Sequence, residues 1–352
     1  MNTSRRRFNR MLLAAPLAAA VAQARAEPAT VAYTVTDLDW FDTARNRPVP
    51  ARLYWPARSG SDAPVPLVVF SHGLGGSRLG YSYLGQHWSS QGVASLHVQH
   101  VGSDSALWRG NPFGMAERLR NAAQDAEALA RVQDLRFALD QTLAGAAGKA
   151  PSAVDASRIA VAGHSYGANT ALLTIGAQVV RNGATVSYRD QRFGAAVLIS
   201  APPFYTEPSV AGVLNAVSVP TLHITCVGDV IQLPGYVSGV EDRIAIFDAV
   251  ADPRKLLAVF REGSHSIFTD RALTGGASLN PAVKAATSSL SKAFLDSVFR
   301  CDGQALQAWP GDWRDIVDRY TQATPVSLGC ESRLAPSANG LGPKAASLRA
   351  RA

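Results

Sequence analysis

The chain has 352 residues, 47% of them hydrophobic and 17% charged, which are ordinary proportions for a soluble globular protein. Its net charge of +7 comes from the ends: of 34 basic and 27 acidic residues, residues 1–26 hold five basic and no acidic, and residues 331–352 hold four basic and one acidic. The remaining body, 27–330, carries 25 basic against 26 acidic residues. That balance offers no electrostatic footprint for nucleic acid or an anionic membrane.

The first element is a targeting segment. Ser4-Arg5-Arg6-Arg7-Phe8-Asn9-Arg10 matches the twin-arginine export pattern, residues 11–21 form a short apolar run, and Ala24-Arg25-Ala26 is a small-x-small cleavage site. The run is shorter than the ~20 residues that span a bilayer, so no stable membrane association is expected. The mature protein is expected to begin at Glu27, in the periplasm or outside the cell.

Leu67-Val68-Val69-Phe70 is a continuous apolar run and reads as a buried parallel strand. A helix over 81–91 and a strand over 93–98 follow. One long helix is predicted over 116–143, where Leu119, Ala122, Ala126, Leu129, Val132, Leu135 and Leu139 recur at steps of three and four. Further strands are predicted at 158–162, 195–199, 221–227 and 256–260, with a closing helix at 282–299. Strands alternating with helices predict a mostly parallel central sheet with helices on both faces, and ligands at the carboxyl ends of the strands. The tail 331–352 is rich in Ala, Ser, Pro and Gly and is expected to be disordered. Three cysteines allow at most one internal pair. Cys226 lies within a predicted strand and reads as a buried thiol, whereas Cys301 and Cys330 bracket the last structured stretch and could be bonded. No spacing resembles a zinc site.

The chemistry concentrates where strands end. Gly163-His164-Ser165-Tyr166-Gly167 stands between the strand at 158–162 and a helix opening at Ala168. A serine on a strand-to-helix turn with glycines two residues away on either side has the form of a nucleophile elbow, in which strand and helix approach too closely for Cβ atoms. Ser165 needs a base. His265 follows the strand at 256–260 in a Gly-Ser-His turn, whereas the other six histidines lie in strands, helices, loops or the turn motifs themselves. Asp229, directly after the run 221–227, has the chain order of the third member, Ser then acid then His. Glu241, Asp242 and Asp248 share that window, and Asp270 comes after the histidine. Ser71-His72-Gly73-Leu74-Gly75-Gly76-Ser77 follows the strand at 67–70 as a glycine-rich loop.

These four features together resemble the α/β-hydrolase superfamily over residues 50–300. The stretch from Pro64 to Ser77, with Gly102-Ser103-Asp104, looks like the dienelactone-hydrolase-like esterases related to platelet-activating-factor acetylhydrolases and cutinase-like polyester hydrolases. The resemblance implies an α/β-hydrolase catalytic domain over 27–330 and a carboxylic ester hydrolase (a serine esterase) acting through Ser165, His265 and Asp229. It implies backbone oxyanion donors at Leu74 and Tyr166, a small-molecule ester substrate, and no metal or organic cofactor. Insertions at 101–130 and 201–218 set this chain apart from compact polyester hydrolases and imply a partly covered pocket. Trp108, Phe113, Pro202, Pro203, Phe204 and Tyr205 in those insertions either line an acyl pocket or form insertion core, and Trp309 and Trp313 read as packing residues. An amidase or peptidase could use the same triad, and a non-catalytic binding protein could share the fold.

Overall fold

The computed structural model describes residues 32–57, 63–233 and 235–324. The proposed export segment, the tail from 331 and Cys330 lie outside the described residues. A hairpin of β1 (Tyr33–Asp42) and β2 (Arg47–Pro56) opens the fold, followed by β3 (Val65–Ser71), α1 (Ser82–Ser90) and β4 (Ala94–Val98). Helices α2 (Met115–Ala122) and α3 (Asp125–Leu143) lead to β5 (Val154–His164) and α4 (Tyr166–Ile175). A short hairpin, β6 (Gln178–Arg181) and β7 (Ala184–Ser187), precedes β8 (Ala195–Ile199), α5 (Val210–Leu214) and β9 (Thr221–Cys226). A second hairpin, β10 (Ile231–Leu233) and β11 (Tyr236–Ser238), leads to α6 (Val240–Ala249) and β12 (Lys255–Phe260). Helices α7 (Leu279–Arg300) and α8 (Gln304–Asp312) and strand β13 (Val317–Gln322) complete the described chain.

Among the described residues, nine strands form one sheet in the order β1-β2-β4-β3-β5-β8-β9-β12-β13. The pairs from β4 through β12 are parallel, and the flanking pairs β1–β2, β2–β4 and β12–β13 are antiparallel. Side chains alternate between faces along each strand. Leu67, Val69, Ile159, Val161 and Leu198 therefore pack with α3 and α4. Val68, Phe70, Ala160, Ala162 and Val197 pack with α1 and α7 on the opposite face. Both faces are covered, which is why β3, β8 and β9 are buried along their whole lengths.

One expectation changes. The helix predicted over 116–143 is two helices, broken at Ala123 and Gln124, where Gln124 adopts an extended backbone conformation. The apolar stripe runs across the break, so periodicity alone could not reveal it. Two further sheet elements, the β1–β2 hairpin and β13, are not among the strands the sequence predicts: β1 is largely exposed along its length, and β13 has one buried residue. Cys226 is a free, buried thiol as expected. Cys301 is disulfide-bonded, and the partner expected for it lies outside the described residues.

Candidate active site

The carboxyl ends of β3, β5, β9 and β12 bring the sequence-predicted residues to one place. Ser165 is the single residue between β5 and α4, held at φ +55° and ψ −126°, a conformation that L side chains rarely adopt. Its amide donates to the Ile199 carbonyl at 2.8 Å, tying the turn to β8. The two glycines of the motif are sterically required. A Cβ on Gly163 would stand 2.2 Å from the Gly167 oxygen, and one on Gly167 would stand 2.0 Å from the Ser71 oxygen.

His265 and Asp229 meet Ser165 in a line. His265 Nε2 lies 2.8 Å from Ser165 Oγ, and His265 Nδ1 lies 2.6 Å from Asp229 Oδ1. A carboxylate accepts only, so Nδ1 carries the proton and Nε2 is left to accept from the serine hydroxyl. Asp229 is fully buried, and Thr225 Oγ1 donates to its second oxygen at 2.7 Å. Burial pushes the Asp229 carboxyl up, yet the His265 hydrogen bond and charge, with Arg243 Nη2 at 3.4 Å, outweigh it and hold the group well below the usual carboxylate range. Two of the other candidate acids serve elsewhere. Asp242 Oδ2 accepts from the Gly239 amide at the start of α6, and Asp270 Oδ2 accepts from the Ser82 amide at the start of α1.

Leu74 and Tyr166 both border the hollow at Ser165. Tyr166 is the first residue of α4, so its amide has no intrahelical acceptor. The Leu74 loop is fixed on both sides. Gly75 donates to the Ser103 carbonyl at 2.8 Å, Trp108 Nε1 donates to the Gly75 carbonyl at 2.7 Å, and His72 Nδ1 donates to the Gly73 carbonyl at 2.7 Å. The Leu74 amide itself has no protein acceptor among the described residues.

The insertion residues divide. Pro202, Pro203, Phe204 and Tyr205 line a pocket of about 150 Å³ that opens from Ser165. Trp108 lines a wider cleft of about 680 Å³ that also reaches Ser165 and His265. Phe113 does neither, being 95% exposed. Trp309 is buried in the core on the α7 face, and the partly buried Trp313 packs against it. Among the described residues, no cluster of His, Cys, Asp and Glu could hold a metal ion, and no helix is long and apolar enough to cross a membrane.

Sequence reasoning missed the polar layer beneath the site. His100, Arg131 and Asp134 are completely buried there, with His100 Nδ1 donating to Asp134 Oδ2 at 3.1 Å. Arg45 and Arg47 close on Asp134 at 2.9 Å each. Tyr81 is a second omission, its hydroxyl lying between Gly73 and His164. No local pattern marks either, because their partners are remote in sequence.

Residues 43–113 match the family of platelet-activating factor acetylhydrolase, isoform II. The match includes β3 and the glycine loop, where the sequence resemblance was read, and ends before Ser165. Among solved structures, the chain is similar to ferulic acid esterase from Streptomyces cinnamoneus at 23% identity and a TM-score of 0.55. That likeness covers 86% of this chain and 97% of the other, and it establishes the α/β-hydrolase fold. No curated protein matches the chain in sequence.

Proposed function

We propose that this protein is a serine hydrolase that cleaves carboxylic esters. The observation that carries the reading is the continuous hydrogen-bonded line from Asp229 through His265 to Ser165 Oγ, ending at a nucleophile on a strained strand-to-helix turn. The match to an acetylhydrolase family and the likeness to an esterase point to the same bond class.

Each residue has a definite task. His265 Nε2 takes the Ser165 proton as Oγ attacks the ester carbonyl carbon, and the carbonyl oxygen becomes an oxyanion. The amides of Leu74 and Tyr166 donate to that oxyanion. The tetrahedral species collapses, the carbon–alkoxy bond breaks, and the departing oxygen takes the proton from His265. Water then attacks the acyl-serine with His265 as base, releasing the acid and restoring Ser165. Asp229 keeps the imidazole in the reactive tautomer and offsets its charge while it is protonated.

His265 borders the wide cleft and is not among the residues of the narrow pocket. A leaving oxygen that takes its proton from His265 lies on the cleft side, so the acyl group occupies the pocket beside Tyr166 and Leu173. Residues 1–26 are read as a twin-arginine signal that delivers the folded enzyme to the periplasm or beyond, supported by Arg5-Arg6-Arg7 and Ala24-Arg25-Ala26.

The test pairs hydrolysis of p-nitrophenyl acetate with fluorophosphonate labelling. Turnover and labelling that both disappear in Ser165→Ala support the reading. Turnover of a p-nitroanilide in preference to the ester would move the enzyme to amides. A folded protein that neither labels nor turns over would have to be a binding protein.

A further inference from the structure

Arg131 is a guanidinium with no exposed surface, placed midway along α3. It reaches both segments that carry the proposed oxyanion donors. Toward the glycine loop, Nη2 donates to the His72 carbonyl and, at 3.1 Å, to Ser71 Oγ, while Nη1 donates to Ser103 Oγ at 2.8 Å. The Ser103 carbonyl in turn holds Gly75, the residue after Leu74. Toward the elbow, Nε donates to Thr170 Oγ1 at 3.0 Å, on the first turns of α4. The guanidinium also stacks on the Tyr166 ring, with Cζ 4.4 Å from its centre.

We infer that Arg131 is the positioning residue of the oxyanion site, one rigid cation that sets the Leu74 and Tyr166 amides relative to each other. The inference rests on the esterase reading above. A guanidinium is planar and presents its donors in a fixed fork, so its contacts fix angles as well as distances. β3 and β5 pair only as far as Ser71 and Gly163, and the two donor amides lie beyond that last pair, where Arg131 contacts both segments. An oxyanion donor acts only if it already points where charge develops.

The charge itself supports the role. Arg131 makes no ion pair among the described residues: its acceptors are three hydroxyls and a carbonyl. The nearby carboxylates are engaged elsewhere, Asp134 by Arg45, Arg47 and His100, and Glu127 by Arg47 and Ser103. Burial accordingly pulls the Arg131 pKa down. A positive charge with no direct ion partner behind two donor amides favours negative charge in front of them. A residue needed for packing alone would be satisfied by an apolar side chain of the same length.

The experiment compares wild type, Arg131→Met and Thr170→Val as full-length enzymes. It reads kcat, KM and the Ki of an alkyl trifluoromethyl ketone, which forms an anionic tetrahedral adduct with the serine. Arg131→Met is expected to lower kcat by about a hundredfold, leave KM within threefold, and raise Ki in proportion to the fall in kcat/KM. Thr170→Val keeps the shape of the site and removes the Nε acceptor together with the Oγ1 donor to the Tyr166 carbonyl at 3.0 Å; it is expected to lower kcat severalfold with the same coupling to Ki. If Arg131→Met does not fold, Thr170→Val decides alone. A folded Arg131→Met, or failing that Thr170→Val, whose kcat and Ki stay within twofold of wild type would overturn the inference, as would a loss confined to KM. Wild type that neither hydrolyses esters nor binds the ketone would instead defeat the esterase reading on which the inference stands.

Discussion

The hydroxyl of Tyr81 lies 2.8 Å from Nδ1 of His164, the residue immediately before the nucleophile. His164 Nε2 is 2.9 Å from the His265 carbonyl oxygen and must donate to it, so Nδ1 accepts from Tyr81. Tyr81 in turn accepts from the Gly73 amide at 3.3 Å. One directional chain thus runs from the glycine loop through the elbow to the backbone of the base. Burial, with the neighbouring His265 charge, pushes the His164 pKa down to about 3, so this second imidazole stays neutral beside the base.

Tyr81→Phe keeps the ring, which packs on Phe70 at 4.6 Å, and removes the link. Two buried groups lose their partner, at about 1–3 kcal/mol each. The expected outcome is a kcat lowered by roughly tenfold or more with KM little changed, and a lower melting temperature. Steady-state kinetics and thermal unfolding of the purified variant check both; unchanged kcat would show that the chain does not position the base.

Asp229→Asn places an amide where a carboxylate accepts from His265 Nδ1. Its NH₂ group favours the wrong imidazole tautomer, so kcat is expected to fall by about 10⁴ while the fold persists. Ser165→Ala is expected to fall by about 10⁶. Loss of only a few-fold in Asp229→Asn, measured by initial rates, would mean that another acid supports His265.

Gly167→Ala is expected to prevent folding to the native state. The added methyl would meet the Ser71 backbone oxygen at 2.0 Å, and backbone on both sides is fixed by the sheet and by α4. Soluble expression and near-ultraviolet circular dichroism report the result. A native-like spectrum with full activity would contradict the geometry of the elbow.

The pocket of about 150 Å³ beside Ser165 sets a limit on the acyl group. A cavity of ~150 Å³ holds about one six-carbon ring. Across p-nitrophenyl esters from acetyl to dodecanoyl, kcat/KM is therefore expected to peak at or below about six carbons and then fall. Leu173→Ala, which enlarges the pocket wall, is expected to move the peak to longer chains; a maximum at dodecanoyl in wild type would place the acyl group in the cleft.

Acid should unfold this protein early. Burial pushes His97, His164 and His223 down to about 3 and His72 and His100 well below the ordinary histidine value. Below the unfolded value of ~6.5 the unfolded chain gains protons that the folded chain refuses, so stability falls as pH drops from about 6.5 toward 3. Above that window these groups contribute no slope. Each proton taken up only by the unfolded state steepens the fall by about 1.4 kcal/mol per pH unit. Melting temperatures measured from pH 4 to 8 should be nearly level above pH 7 and drop sharply below pH 6; a level profile down to pH 4.5 would exclude the mechanism.

The parallel core was legible in the residues because its signals are local. Leu67–Phe70 and Ala195–Ile199 are unbroken apolar runs buried on both faces, and Gly163 answers a clash within a five-residue turn, although the clash that Gly167 avoids is with the distant Ser71 backbone. His265 and Asp229 could be named because chain order and strand ends locate them. Their hydrogen bonds to each other and to Ser165 required the fold. The break at Ala123 and Gln124, the hairpin of β1 with β2, and the direction of the Phe113 side chain depend on which surfaces other segments cover. The sharpest case is Arg131, which is buried beside the apolar stripe of α3 although its sequence neighbours give no sign of it. Its acceptors come from residues 28 to 60 positions away. Sequence determines which residues are apolar and where the chain turns, since both follow from short-range periodicity and sterics. Whether a buried charge finds its partners is decided only when distant segments meet, because the cost of burying it depends on the groups that surround it.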